Sequence, residues 1–299
     1  LNLIFRDQFT QTGIVPGSSI RGRFRADMRL KEPVPPTSNN DVSTETDSEL
    51  ESETQHQEPE VERYPLTNRW YGHEAIRGKE NSTTEALIKF EHASLVWLPV
   101  FCPGQPVVWV SCPMLLKRYK RIVAQKKTLP SVPVFLETSK DKKEQHAFVS
   151  SKKICKNDKL FFNLGFLPIQ EQSDLIRWAD SLPPDTDINK TKLVVVKDSE
   201  MGLVHEMALY RQSRVRLSDT EKKVESGAFF NMEALPVGSI LVFPIGIKET
   251  GWKKALQTDD SEWEEVEANG LNGLRKELYF GGLESVGCGH CQVTLFGEL

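Results

Sequence analysis

Seven short apolar runs, rich in β-branched and aromatic residues, recur along the chain. Pro, Gly or charged residues bound each run, and the runs occupy residues 93–101, 106–112, 146–150, 192–196, 213–217, 239–247 and 291–299. Short runs of this kind are typical of β-strands. The apolar spacing of residues 111–126 and 170–182 predicts amphipathic helices instead. Because the helices do not alternate regularly with the strands, the sequence predicts an α+β fold.

The length of the chain, 299 residues, is enough to bury a sizeable core. No apolar run approaches the roughly 20 residues that a membrane-spanning helix needs. We therefore expect neither a secretory signal nor a membrane partner. Five cysteines, an odd number spread widely, fit a reducing compartment better than a disulfide framework. Together these features predict a cytoplasmic protein.

Residues 31–63 differ in composition from the rest of the chain. They contain Pro, Ser, Thr, Asn, Glu and Asp with almost no large apolar residue, so the sequence predicts a disordered acidic insertion. Nine acidic residues lie between Asp41 and Glu62, where there is no Lys or Arg. Without them the chain has 38 basic and 33 acidic residues, a net charge of +5. That charge permits a polyanionic partner without requiring one.

The stretch Gly13–Arg25, GIVPGSSIRGRFR, is the first candidate binding site. Its Pro-Gly dipeptide predicts a turn, and Ser18 and Ser19 can cap a helix that follows. In that helix Arg21 and Arg25 would lie on one face, one turn apart. Helix-start amides, two hydroxyls and this row of arginines would suit a phosphodiester backbone. An ordinary capped surface helix explains the same residues equally well.

Two further segments have features suited to single-stranded nucleic acid. Residues 210–236 combine basic and aromatic side chains, among them Arg211, Arg214, Arg216, Phe229 and Phe230. Residues 280–295 carry glycines that let another backbone or a phosphate approach closely, namely Gly281, Gly282, Gly287 and Gly289. An ordinary exposed hairpin remains the alternative for each segment.

The sequence contains no evident catalytic centre. Cys288–Cys291, CGHC, could begin a zinc site, but the other cysteines offer no second close pair. We therefore interpret these cysteines as structural. No Walker loop, HExxH zinc motif or nucleophile elbow is present, and we expect no cofactor.

Taken together, four ordered blocks resemble a known family. VPGSSIRGRFR is similar to the PGSSxKGxxR signature of the RAMP superfamily, the RNA-binding proteins of CRISPR effector complexes. FGGLESVGCGHCQVTL resembles its C-terminal glycine-rich loop. RWYGHEAI with residues 94–121, and SRVRLSDTEKKVESGAFFNMEALPVGSILVF, resemble the repeated backbone subunit of the type III-B (Cmr) complex. The resemblance runs from Asn2 to Phe296.

The resemblance implies one RAMP domain over residues 1–299, with a ferredoxin-like, RRM-related palm, inserted helices and a β-hairpin thumb at 210–236. It implies that copies stack along a crRNA beside other type III Cas subunits and kink the duplex with target RNA. The residues implied to hold guide phosphates are Ser18, Ser19, Arg21 and Arg25, with the glycines of 281–289 beside them.

In active members of this family an aspartate ahead of the signature cuts target RNA. Aligning Arg6 and Asp7 with the closing pair of that loop puts Leu1 at the aspartate position. Asn231–Met232 stands where the family's thumb tends to have Tyr-Glu. Both departures favour an RNA-holding subunit, so Mg²⁺ is expected only if cleavage is retained. The alternatives are a metal-dependent endoribonuclease that uses acids such as Asp7, Asp27 or Glu233, and a protein-only assembly scaffold.

Overall fold

A computed structural model describes residues 3–32, 65–73, 75, 82–123, 128–135, 147–162, 165–217, 224–248 and 274–295. The described helices are α1 (Gly17–Lys31), α2 (Pro65–Tyr71), α3 (Pro113–Val123), α4 (Ile176–Asp180) and α5 (Asp198–Ala208). The first seven strands are β1 (Ile14–Val15), β2 (Ile88–Phe90), β3 (Ala93–Phe101), β4 (Val107–Ser111), β5 (Ala147–Val149), β6 (Lys159–Phe162) and β7 (Gly165–Glu171). The remaining strands are β8 (Leu193–Val196), β9 (Tyr210–Leu217), β10 (Val224–Ala234), β11 (Ile240–Val242), β12 (Ile245–Ile247), β13 (Leu274–Tyr279) and β14 (His290–Leu295).

The chain divides into two compact units. The sheet unit comprises Leu1–Gly17, Glu91–Pro244 and Gly273–Phe296. The helix unit comprises Ser18–Phe90, Ile245–Asn272 and Gly297–Leu299. Both units are discontinuous in sequence, because the chain leaves the sheet unit after Gly17 and returns to it at Glu91.

A mixed eight-stranded sheet forms the centre of the sheet unit. Its strands follow the order β1-β3-β4-β8-β5-β7-β6, and β11 pairs with β3 beside that path. β4 and β8 are parallel, as are β5 and β7, whereas the other neighbouring pairs are antiparallel. β9 with β10, and β13 with β14, form separate antiparallel hairpins.

Apolar side chains are buried on both faces of this sheet. In β8, Leu193 and Val195 contribute to one core cluster while Val194 and Val196 contribute to the other. Residues of α3 and α4 pack into the first cluster, among them Leu116, Tyr119, Trp178 and Ala179. Residues of α5 and β6 pack into the second, among them Met201, Val204, Leu160 and Phe162. This double burial explains why the strand sequences read as continuous apolar runs without alternation.

The predicted α+β fold is confirmed, with differences in detail. The run at 239–247 forms two strands, because Pro244 separates β11 from β12. The helix predicted at 170–182 is confined to a 3₁₀ turn at Ser173–Leu175 followed by α4. The sequence patterns did not predict α2, α5 or the β6–β7 hairpin.

In the helix unit, α1 packs one apolar stripe against aromatic rings. Ile20, Phe24 and Met28 are spaced four residues apart and are buried. The ring of Phe90, in β2, stacks on Phe24 with centroids 5.4 Å apart and on Tyr71 with centroids 6.2 Å apart. β2 pairs with β12. No helix in the described ranges is long and apolar enough to cross a membrane.

The two ends of the acidic insertion meet at a helix cap. Glu32, which follows α1, is 8% exposed. Its carboxylate accepts hydrogen bonds from the Leu66 amide at 2.7 Å and from the Thr67 amide at 2.9 Å, at the start of α2. A carboxylate at this position satisfies amides that the helix itself leaves unpaired. The two ends of the segment between Glu32 and Leu66 are therefore in direct contact. The predicted disorder of residues 31–63 concerns residues that lie mainly outside the described ranges.

Replacing residues 34–63 with a six-residue Gly/Ser linker is expected to preserve the fold. Shortening the loop lowers the entropy lost on closure, so the free energy of unfolding should rise by about 1 kcal/mol. Urea denaturation of both chains measures the change. A matched Glu32→Ala variant should lose stability with either loop. If the shortened chain were instead less stable than the original, the Glu32 cap would not be the point where the two ends of the segment meet.

Candidate nucleic-acid interface

The predicted helix after the Pro-Gly turn is α1, which begins at Gly17. Ser18 and Ser19 lie exposed in its first turn. The amides of a first turn have no partner within the helix, and the helix dipole places partial positive charge there. This end of α1 therefore offers hydroxyl and amide donors to an anion.

Arg21 and Arg25 are half-buried and contact the neighbouring helix α2. Arg21 Nη2 donates to the carbonyl oxygen of Tyr71, and Gly72 O lies 3.5 Å from the same nitrogen. Arg25 Nη2 donates to Asn68 Oδ1 at 3.3 Å. A guanidinium at the C-terminal end of a helix is favourable because it meets unpaired carbonyls and the negative end of the dipole. Part of the donor capacity of both arginines is thus used within the helix unit.

Gly22 of α1 was not among the residues that the sequence pattern predicted to bind RNA. It is exposed in the interior of the helix, where glycine is about 1 kcal/mol less favourable than alanine. A Cβ atom added to it would meet nothing within 4 Å. The neighbouring exposed positions Ser18, Ser19 and Ala26 are also small, so another backbone can approach this face closely. The sequence could have indicated this position, since a glycine inside an otherwise helical pattern often has a packing or functional reason.

The loop before α1 is held by its own hydrogen bonds. Asp7 Oδ1 accepts from the Phe9 amide at 3.0 Å and from the Thr10 amide at 2.8 Å, and the Thr10 hydroxyl also donates to it. Burial raises the pKa of Asp7, but the hydrogen bonds from Thr10 and Phe9 outweigh it and lower the pKa below its usual value. Asp7 therefore serves as the carboxylate of an Asx turn.

A buried histidine anchors the end of this loop. The Gly13 amide donates to His205 Nε2 at 2.9 Å, and His205, in α5, is fully buried. A Cβ at position 13 would lie 2.9 Å from Ile4 Cδ1 and 3.0 Å from Leu235 Cδ2, so a larger residue would have to displace these side chains. Burial, together with the positive charge of Arg6, lowers the pKa of His205 to about 4. The imidazole is therefore neutral and its Nε2 is an acceptor.

The stability of the chain should carry a pH dependence from His205. Its folded-state pKa of about 4 is below the ordinary value of 6.5, so between these values the unfolded chain binds a proton that the folded chain does not. This contribution is complete above pH 6.5 and is lost as the pH falls towards 4, by about 2 kcal/mol between pH 7 and pH 5. A His205→Gln variant retains an acceptor for Gly13 but cannot titrate. Urea denaturation at both pH values should show a smaller loss for the variant, and equal losses would contradict a buried neutral histidine.

Four charged side chains join the loop to the base of the β9–β10 hairpin. Arg6 donates to Glu206 and, at 3.1 Å, to Glu233 Oε2. Arg211 donates to the same two carboxylates, with 3.0 Å between its Nε and Glu233 Oε1. Burial raises the pKa of Glu233, but the hydrogen bonds from Arg211 and Arg6 outweigh it and lower the pKa. We call these four residues the ion cluster.

The hairpin predicted at 210–236 corresponds to β9 and β10, which pair antiparallel with an irregularity between Val224 and Phe229. Arg211 belongs to the ion cluster, and Arg214 Nη2 donates to the Val286 carbonyl at 3.2 Å. Phe230 is half-buried and lies opposite Arg214. The side chains of Arg216 and Phe229 lie outside the described part of the chain. The hairpin is thus tied to the glycine-rich segment through Arg214.

The glycine-rich segment connects β13 to β14. Gly289 has φ 86°, and a Cβ there would overlap the carbonyl oxygen of Phe280, so the turn requires glycine. Gly281 and Gly287 also have positive φ, at 104° and 87°. A Cβ at Gly281, Gly282 or Gly287 would meet nothing within 4 Å. The backbone at these three positions is therefore open to an external group.

The remaining candidates show no metal-binding arrangement in the ranges described. Cys288 and Cys291 are free thiols, and burial raises the pKa of Cys291. Asp27 pairs with Arg23 at 3.3 Å within α1. No group of three or more His, Cys, Asp or Glu side chains converges there on a possible ion. What the described elements do offer is backbone and hydroxyl donors suited to phosphate.

Several solved structures share this fold at low sequence identity. A chain of the type III-B Cmr-beta structure bound to cognate target RNA is 18% identical with a TM-score of 0.57, over 96% of this chain and 86% of that chain. Oligomeric Cmr4 from Pyrococcus furiosus is 16% identical with a TM-score of 0.52, over 96% and 88%. P. furiosus Cmr4 (Cas7) is 16% identical with a TM-score of 0.51, over 97% and 92%. These likenesses confirm the RAMP palm fold.

No curated protein sequence matches the chain significantly. The model of the RAMP superfamily, in contrast, matches residues 1–292. That range includes α1, the β9–β10 hairpin and most of the β13–β14 hairpin. The chain therefore belongs to the RAMP superfamily.

Proposed function

We propose that the protein is a crRNA-binding backbone subunit of a cytoplasmic type III CRISPR ribonucleoprotein in antiviral defence. The observation that carries the proposal is the exposed face of α1, where Ser18, Ser19 and Gly22 combine helix-start donors with an opening for another backbone. Contacts to phosphates fix the position of a guide without reading its sequence, as a subunit that accepts any spacer requires.

The glycine-rich segment and the β9–β10 hairpin have complementary parts in this proposal. The open backbone at Gly281, Gly282 and Gly287 offers a second approach for guide phosphates. The hairpin is the thumb that presses between bases and kinks the crRNA–target duplex, with its base fixed by the ion cluster. Further copies of the chain and other Cas subunits would extend the assembly along the guide.

Charge reversal of Arg21 and Arg25 is a poor test of this proposal, because both side chains also hold α2. A Ser18→Glu/Ser19→Glu variant is better, since acidic residues in the first turn stabilise a helix but repel phosphate. Coexpressed with crRNA and its partner subunits, this variant should retain at least tenfold less guide RNA than the wild-type chain. A Ser18→Ala/Ser19→Ala variant, which adds no charge, should lose much less guide RNA. Unchanged RNA content in the glutamate variant would overturn the assignment.

The same assembly separates the alternative functions. A metal-dependent endoribonuclease would cut labelled target RNA at regular intervals with Mg²⁺, and the cuts would disappear in an Asp7→Ala variant. We expect no such Asp7-dependent cleavage, because the Asp7 carboxylate serves the turn at residues 7–10. A protein-only scaffold would assemble normally and contain no crosslink between this chain and RNA.

A further inference from the structure

The β6–β7 hairpin exposes two phenylalanines on one face of an edge strand. β6 is the last strand of the sheet order, and among the described strands it pairs only with β7. Leu160 and Phe162 point into the core at 1% and 2% exposure, which places Lys159 and Phe161 on the opposite face. Phe161 lies opposite Phe166, with ring centroids 4.9 Å apart and planes at 48°. Phe166 is 67% exposed and Phe161 36%, so aromatic ring surface remains open to solvent.

Three lysines lie at and just before the start of β6, the strand that carries Phe161. Lys156 and Lys159 close a two-residue turn in which the amide of each donates to the carbonyl of the other at 3.1 Å. Asn157 and Asp158 occupy the turn with φ of 53° and 54°, the left-handed geometry that joins two strands tightly. Lys153 lies in the preceding 3₁₀ turn, Lys152–Ile154. Lys159 is two residues from Phe161, which is about 7 Å along a strand.

The nearby acids are already engaged by Lys152. Asp158 Oδ1 lies 3.0 Å from Lys152 Nζ, and Glu171 Oε1 accepts from the Lys152 amide at 3.1 Å. No described side chain forms an ion pair with Lys153, Lys156 or Lys159, all of which are exposed. Lys152, Lys153, Lys156 and Lys159 outnumber Asp158 and Glu171 by two, so this part of the surface has a net positive charge.

Exposed aromatic rings together with lysines on an edge strand match the chemistry of single-stranded nucleic acid. Lysine on an edge strand is by itself a common protection against strand pairing, but exposed aromatic rings would work against such protection. Single-stranded nucleic acid uses both groups at once, because bases stack on aromatic faces while lysines meet the phosphates. The positive charge favours a polyanion over an apolar protein partner.

We propose that Phe161 and Phe166, with Lys153, Lys156 and Lys159, form a second nucleic-acid site that binds single-stranded RNA. We call it the Phe–Lys surface. β6 lies at one end of the sheet order and β1, the strand that leads into α1, lies at the other. The Phe–Lys surface shares no residue with the guide contacts proposed on α1, and it suits a strand outside the paired guide.

The test uses the full chain with Ser18→Glu/Ser19→Glu, so that guide contacts on α1 do not contribute. Fluorescence anisotropy with a labelled twelve-nucleotide oligouridine measures affinity. Phe161→Ala/Phe166→Ala should raise the dissociation constant at least tenfold, whereas Phe161→Tyr/Phe166→Tyr should stay within about twofold because the rings remain. Lys153→Gln/Lys156→Gln/Lys159→Gln should lower the salt-dependence slope by about 2.

The outcomes separate this site from the guide site and from a protein interface. With wild-type Ser18 and Ser19, both sets of substitutions should leave crRNA copurification unchanged. If circular dichroism shows that the Phe161→Ala/Phe166→Ala variant is misfolded, the variant with the three lysine substitutions still tests the proposal, because those lysines are exposed. Unchanged oligouridine affinity in a folded variant overturns the proposal. A changed oligomeric state by light scattering, with RNA affinity unchanged, also overturns it and assigns the surface to another copy of the chain.

Discussion

Replacing Gly22 with leucine is expected to make the chain more stable and to remove most of its guide RNA. The Cβ at this position meets open space, and leucine is favoured over glycine in a helix by about 0.8 kcal/mol. The melting temperature should therefore rise by about 2 °C. If an RNA backbone lies against this face, the leucine side chain occupies its place, and RNA content should fall at least tenfold.

Two control substitutions sharpen this prediction. Gly22→Ala should give the same gain in melting temperature with a smaller loss of RNA, because its side chain extends less far. Leu30→Ala changes a position on α1 that is 84% exposed and lies two turns further along. That variant should retain its RNA. A Gly22→Leu chain that melts higher and still carries a full complement of guide RNA would refute the role of α1.

Glu233→Ala is expected to destabilise the chain by about 2 kcal/mol. The Glu233 side chain is 9% exposed and accepts hydrogen bonds from both Arg6 and Arg211. Removing it leaves two guanidinium groups close together with Glu206 as their shared partner. Loss of one member of a buried charge pair costs about 3–5 kcal/mol, and the partial exposure of both arginines reduces that figure. The midpoint of urea denaturation measures the effect.

The matched control for Glu233 is Glu91, whose carboxylate pairs with Arg118 at 3.2 Å but is 63% exposed. Glu91→Ala should have a much smaller effect, because exposed ion pairs contribute little. In the assembled complex, Glu233→Ala should also retain crRNA while binding target RNA less tightly, since it loosens the base of the thumb. Equal losses of stability for the two variants would show that Glu233 contributes no more than a carboxylate in an exposed ion pair does.

The strands and α1 could be predicted because their signals are local. β3 and β8 are predominantly apolar runs without regular polar alternation, and a sheet covered on both faces needs no such alternation. α1 begins at the glycine of a Pro-Gly pair and repeats an apolar residue every fourth position. The β6–β7 hairpin escaped prediction because Gly165 and Pro168 interrupt its apolar pattern.

Within the candidate site, the sequence predicted the residues of α1 but not the partners of its arginines. Arg21 and Arg25 contact α2, which begins at Pro65 and is separated from α1 by the acidic insertion. No sequence pattern links residues so far apart. His205 likewise meets Gly13 across 192 positions, and its role depends on burial that only the folded sheet unit creates. Long-range contacts of this kind decide which polar side chains remain available to a ligand.

The proposed role requires contacts between guide RNA and both α1 and the glycine-rich segment. Ultraviolet crosslinking of the assembled complex, followed by mass spectrometry of the peptide–RNA adducts, detects such contacts. We predict crosslinks to crRNA in peptides that contain residues 16–25 and 280–290. Crosslinks confined to other subunits, or an assembly in which neither peptide is modified, would rule out this role.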